Sequence, residues 1–191
     1  MGERIDSLDM FAAAATLPEQ IETAIEAAHG AEGLPDGAEI DNVLVLGMGG
    51  SGVAGDLLTV VAGPFMPVPV VVVKGYEPPS YVNERTLVFA LSFSGNTEET
   101  LDAVATAANA GGRIVGLTQG GALADLCRAS GAPIIPIDEA IPQPRAGLGA
   151  LLAPALVTLE RLGLFPGAEQ WLRLAVEALR ARRDKLVADG N

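Results

Sequence analysis

A chain of 191 residues has room for one well-buried domain with appendages and falls short of two ordinary ones. Hydrophobic residues make up 49% of it against 19% charged and 4% aromatic, so its core must be built from Val, Leu, Ile and Ala, the composition of a parallel sheet covered on both faces. With 24 acidic residues against 12 basic ones the formal charge is −12. That balance argues against a nucleic-acid partner, whose recognition needs Lys and Arg on its phosphates, and leaves any phosphorylated ligand to be captured by short-range donors.

The single Cys127 allows no disulfide within the chain and no multi-cysteine metal site, and reads as a buried, inert thiol. No metal and no cofactor is expected. No apolar run approaches a membrane span, and the opening MGERIDSLDM lacks a basic region followed by an apolar core. The expectation is a cytoplasmic protein without a membrane partner.

In chain order, residues 5–15 and 18–28 read as two helices, the first capped by Asp6 or Ser7 and the second carrying Pro18 in its first turn. Ile21, Ala24, Ile25 and Ala28 share one face of the second. A first strand over 43–46 runs into the turn GMGGSG and a helix over 52–61, closed by Gly63 and Pro64. The unbroken β-branched run 68–73 predicts a second strand buried on both faces. KGYEPPSYVNERT is long for an α/β connection, and Tyr76, Pro78, Pro79 and Tyr81 make it a semi-rigid flap that either borders a ligand or merely crosses the sheet edge.

A third strand over 87–91 opens a helix over 97–110, with Asn96 or Thr97 as N-cap and Glu98 and Glu99 favourable in the first turn. A fourth strand (114–118), a helix (122–129) and a short fifth strand (133–137) follow. This alternation predicts an α/β fold, a doubly wound, three-layer, five-stranded parallel sheet with extra N- and C-terminal helices. Residues 146–162 are apolar nearly all round the helix, with a kink at Pro154. A helix without a polar face is buried, and in so short a chain part of its surface is expected to meet another subunit or domain. The last helix, 166–188, is amphipathic through Trp171, Leu172, Ala175, Leu179 and Leu186. Its Arg173, Arg180, Arg182, Arg183 and Lys185 read as a solvated face.

Two strand-to-helix junctions carry chemistry. The first amides of a helix lack intrahelical acceptors and sit at the positive end of its dipole, so an anion is stabilised there. Gly47, Gly49, Gly50 and Gly52 let the main chain approach a ligand closely. Ser51, Ser92, Ser94 and Thr97 add hydroxyl donors, although capping a helix is an alternative use for each. In a parallel sheet both junctions lie at the carboxyl ends of the strands and can face one crevice. A phosphate held by uncharged donors follows.

Other chemistries fit less well. Gly47, Gly49 and Gly52 satisfy the dinucleotide pattern G-x-G-x-x-G, but the second strand ends in Val73, Lys74 and Gly75 where an acidic residue would hold the ribose. No Lys-Ser or Lys-Thr follows the glycines, which removes a P-loop. Neither Ser51 nor Ser94 sits in G-x-S-x-G, and the only histidine, His29, lies outside the alternating region.

GMGGSG, SFSGNTEET and PQPRAGLG together resemble the SIS (sugar isomerase) domain, most closely the first half of the bifunctional phosphoglucose/phosphomannose isomerases, from about residue 5 to the last helix. The resemblance implies a flavodoxin-like sheet and a phosphate cradle at Gly50, Ser51, Ser92, Ser94 and Thr97. It implies that Arg145 lies near the reacting carbons and stabilises an enediolate; a surface charge at a helix start is the alternative. It divides the chain into N-terminal helices (1–40), an SIS domain (41–163) and a final helix (164–191) that would link to a second SIS domain. The family's general base, histidine and lysine belong to that second domain. The expectation is therefore a chain that binds a hexose 6-phosphate, is inactive or feebly active alone, and works as a homodimer or with a second SIS domain. The alternative is a regulatory module that senses sugar phosphates without chemistry.

Overall fold

Parallel strands must be joined by crossovers, and this chain supplies a helix for each except the second to the third, which the segment 74–85 joins without one. The computed structural model describes residues 6, 7 and 9–188. Its strands are β1 (Asn42–Leu46), β2 (Val70–Val73), β3 (Thr86–Leu91), β4 (Arg113–Thr118) and β5 (Ile134–Pro136). All pair in parallel, in the order β2-β1-β3-β4-β5. The chain thus leaves β1 toward one edge and returns on its other side as β3, and the crevice of such a sheet opens where that direction reverses.

The helices are α1 (Met10–Ala15), α2 (Leu17–His29), α3 (Gly49–Val61), α4 (Glu98–Asn109), α5 (Gly121–Ser130), α6 (Leu148–Arg161) and α7 (Ala168–Ala188). Alternate strand residues point to opposite faces. Val43, Val45, Leu87, Phe89, Val115 and Leu117 pack against α2, α3 and α6, while Leu44, Leu46, Val88, Ala90 and Ile114 pack against α4 and α5. Two cores separated by one sheet make the three layers that the alternation predicts.

Several local expectations are refined. Residues 5 and 8 of the first predicted helix lie outside the described residues, and α1 begins at Met10. The Asp6 carboxylate accepts from the Met10 and Phe11 amides, each at 2.9 Å, which is the capping expected of it. β2 is half-buried along its length rather than buried on both faces, because it has a neighbour on one side only. Arg180 and Arg183 are not simply solvated: the first donates to Glu22 Oε1 at 3.0 Å and the second to Glu19 Oε2 at 2.9 Å, clipping α7 to α2.

The apolar helix α6 runs through Pro154 and is buried from Gly149 to Thr158 except at Leu152. Helices α2, α3 and α7 of the same chain cover it. Most of its surface is therefore covered within one chain, with Leu148 and Leu152 left half-buried.

Candidate functional site

β1 ends at Leu46, and two residues later the chain enters α3 with Gly49 at φ 50°. The first α3 amide to bond back is that of Gly52, to the Met48 carbonyl at 3.1 Å. The Gly49, Gly50 and Ser51 amides before it have no intrahelical partner, and no side chain caps them. Ser51 is buried at the foot of this helix.

The neighbouring junction follows β3. Ser92 is fully buried, and its Oγ donates to Thr97 Oγ1 at 3.1 Å, across the loop it begins. Thr97 is the N-cap residue of α4, as predicted, yet its side chain caps nothing. Asn96 turns instead to the next helix, accepting from the Ala122 amide at 3.1 Å at the start of α5. Ser94 is exposed, and its Oγ accepts from the Asn96 amide at 3.3 Å. Between them Gly95 adopts φ 73°, and a Cβ there would lie 1.8 Å from the Gly120 carbonyl oxygen.

The third segment arrives from β5. Pro144–Ala146 form one 3-10 turn ahead of α6. Its Arg145 is exposed and makes no hydrogen bond or ion pair with the described residues. The turn touches both junctions. A Cβ on Gly50 would sit 3.4 Å from the Pro144 carbonyl oxygen, and one on Gly147 would meet the Phe93 ring at 2.8 Å. Gly50, Ser51, Ser92, Ser94, Thr97 and Arg145 thus occupy three adjoining segments at the carboxyl end of the sheet.

Gln119, also at this end, went unread in the sequence. Directly after β4 in the stretch TQGG, it donates its amide to the Phe93 carbonyl at 2.9 Å and its Nε2 to the Asp138 carbonyl at 2.9 Å and the Ile141 carbonyl at 3.3 Å. A glycine pair after a strand, the grammar of GMGG, was the available signal. Lys74 lays its stem over Gly52, where a Cβ would meet Cε at 3.0 Å, and pairs with Asp56. The flap runs beside the start of α4: partial desolvation, then the charges of Glu98, Glu99 and Asp102, raise the Tyr76 phenol above its ordinary pKa. His29 lies elsewhere, its Nε2 2.8 Å from Glu169 Oε2 on α7. Among the described residues no group of three or more His, Cys, Asp or Glu side chains is placed to hold a metal ion.

The model of the SIS domain family matches residues 38–134, just over half of the chain. This chain belongs to the SIS domain family. Over 92% of its length it is 37% identical to the bifunctional phosphoglucose/phosphomannose isomerase of Caldicellulosiruptor bescii, of which it covers 52%. It is also 37% identical, over 62% of its length, to the bifunctional phosphoglucose/phosphomannose isomerase of Thermoplasma volcanium, of which it covers 36%. The chain spans about half the length, or less, of these curated relatives. In structure it matches the C-terminal domain of glucosamine-fructose-6-phosphate aminotransferase from Francisella tularensis with a TM-score of 0.67, covering 96% of this chain and 56% of that one. At 18% identity that likeness speaks for the fold alone. No described helix is long and apolar enough to cross a membrane.

Proposed function

We propose that this chain is the phosphate-holding SIS half of an aldose-ketose isomerase that interconverts hexose 6-phosphates. The Gly50 and Ser51 amides and the hydroxyls of Ser51, Ser92, Ser94 and Thr97 bind the phosphate, and Arg145 stabilises the enediolate. The observation that carries this reading is the meeting of three segments, with Pro144 resting on Gly50 and Gly147 on Phe93. That meeting supports a role for Arg145, a permanently charged guanidinium on the turn that touches both junctions, beside a cradle made of neutral donors.

Isomerisation moves a proton between C1 and C2 and needs a general base, and ring opening needs an acid. This chain offers neither beside Arg145: His29 is engaged with Glu169, and Glu139 is an exposed residue of the β5 exit. The acid and base therefore come from a second SIS domain. On the same reading residues 1–40 support an SIS domain over 41–163, and 164–191 lead toward the missing half.

Calorimetric titration of the chain with fructose 6-phosphate and with fructose tests the cradle: the phosphorylated sugar binds and fructose does not. Equal binding of both, or of neither, removes the assignment. The engagement of His29 also favours a second reading, a sensing module without chemistry. A protein carrying both halves that binds glucose 6-phosphate and never converts it would decide for the sensor.

A further inference from the structure

We infer that Gln20, on a helix outside the sheet, is a positioning residue for Arg145. The inference rests on the reading of Arg145 given above. Gln20 is 6% exposed, in the seam where α2 packs on the first turn of α6. That seam is tight: a Cβ on Gly149 would lie 2.8 Å from Leu17 Cδ1 and 3.0 Å from Ile21 Cγ1. An apolar side chain would suit such a place. Gln20 instead carries a polar amide into it and leaves Oε1 buried without a hydrogen-bond partner among the described residues, which costs stability.

What the amide supplies in return lies on its other side. Nε2 donates to the Ala146 carbonyl at 2.8 Å, its shortest contact, with Thr16 Oγ1 at 3.1 Å and the Ala13 carbonyl at 3.3 Å as further acceptors. No backbone amide outside the regular elements donates to the Ala146 carbonyl. The turn itself is held only by Ala146 N to Gln143 O at 2.9 Å and Gly147 N to Pro144 O at 3.1 Å. From the other flank Gln119 Nε2 donates to the Asp138 carbonyl at 2.9 Å and the Ile141 carbonyl at 3.3 Å. Two glutamine amides, from α2 and from the end of β4, thus clamp the segment that carries Arg145. Gln20 holds the carbonyl of Ala146, the residue directly after it. Without that donor the buried carbonyl must turn to find water, and the arginine turns with it.

The test compares two probes by calorimetry on the 191-residue chain. Inorganic phosphate reports the cradle alone. A five-carbon aldonate 5-phosphate adds a carboxylate standing for the enediolate, and so reports Arg145 as well. Gln20→Met, matched in length and without the amide, is expected to weaken the aldonate phosphate about tenfold and to leave inorganic phosphate within about twofold, since a displaced charge is penalised only where it is used. Faster hydrogen exchange at the Ala146 and Gly147 amides, against unchanged exchange in β1 and β3, is expected alongside. Should Gln20→Met fail to fold, Gln20→Glu keeps the shape, replaces the donor by an acceptor and is expected to give the same split. Equal affinities for the aldonate phosphate in wild type and variant, or a parallel loss for both probes, overturn the inference alone. A wild-type chain blind to both probes, or an Arg145→Ala variant that binds the aldonate phosphate as well as wild type does, overturns it together with the site it serves.

Discussion

The Ser92 hydroxyl donates to the Thr97 hydroxyl at 3.1 Å, closing the β3–α4 loop from within. Ser92 is fully buried and spends its one hydroxyl proton on Thr97 Oγ1, which, accepting it, is left to donate outward. Ser92→Ala removes the hydrogen bond that orients its neighbour. Affinity for fructose 6-phosphate is expected to fall about fivefold to tenfold, with about 1 kcal/mol lost from stability. The Thr97→Val loss is expected to be less than additive with it, as measured by titration and urea unfolding of the two single variants and the double.

Arg145 separates binding from stability. It is exposed and makes no hydrogen bond or ion pair with the described residues, so Arg145→Ala is expected to stay within about 0.5 kcal/mol of wild type in urea. Binding of a ligand bearing a negative charge at C1 is expected to weaken. A large loss of stability would show that the guanidinium props up the turn.

Gly95 and Gly163 share a φ of 73° but not an environment. A Cβ at Gly163 meets nothing within 4 Å, whereas one at Gly95 would overlap the Gly120 carbonyl at 1.8 Å. Gly163→Ala is expected to cost about 1–2 kcal/mol, the left-handed strain alone. Gly95→Ala adds the clash, and in urea it is expected to be at least about 2 kcal/mol worse than Gly163→Ala.

Acid weakens the seam between α2 and α7. Hydrogen bonding from Arg173, then from His29, holds the Glu169 carboxyl below its ordinary pKa. A lowered folded pKa contributes stability that is present above the unfolded value, near 4.5, and is lost as pH falls through the folded one. Urea midpoints are therefore expected to drop on acidification through this range, and to drop less in Glu169→Gln.

Cys127 is fully buried between α5 and the sheet, and burial pushes its thiol up to about 11. The thiolate is the reactive form, so a thiol reagent at mildly alkaline pH is expected to leave the native chain unlabelled and to modify it fully in denaturant.

Much of this was readable in the residues because local pattern and tertiary structure agree. The unbroken apolar runs at β1 and β3, each breaking into small residues, mark both strand and loop, while the flavodoxin-like sheet was implied by the family resemblance and not by the pattern. The failures have physical causes. An edge strand carries the same β-branched residues as a central one, so the Val70–Val73 run could not announce that it has one neighbour. Gln20 and Gln119 left no periodic signal, since a side chain reaching a carbonyl 126 residues away, as Gln20 does at Ala146, has no local signature.

The central claim is that three loops at one end of the sheet grip a phosphate. A crystal of this chain soaked with fructose 6-phosphate tests it most directly. The account predicts the phosphate at the start of α3, within hydrogen-bonding reach of the Gly50 and Ser51 amides and the Ser92, Ser94 and Thr97 hydroxyls, with the sugar extending toward Arg145. Phosphate in the cleft lined by Gly111, Gly112, Ser130 and Gly131, or no bound sugar at saturating concentration, would contradict it.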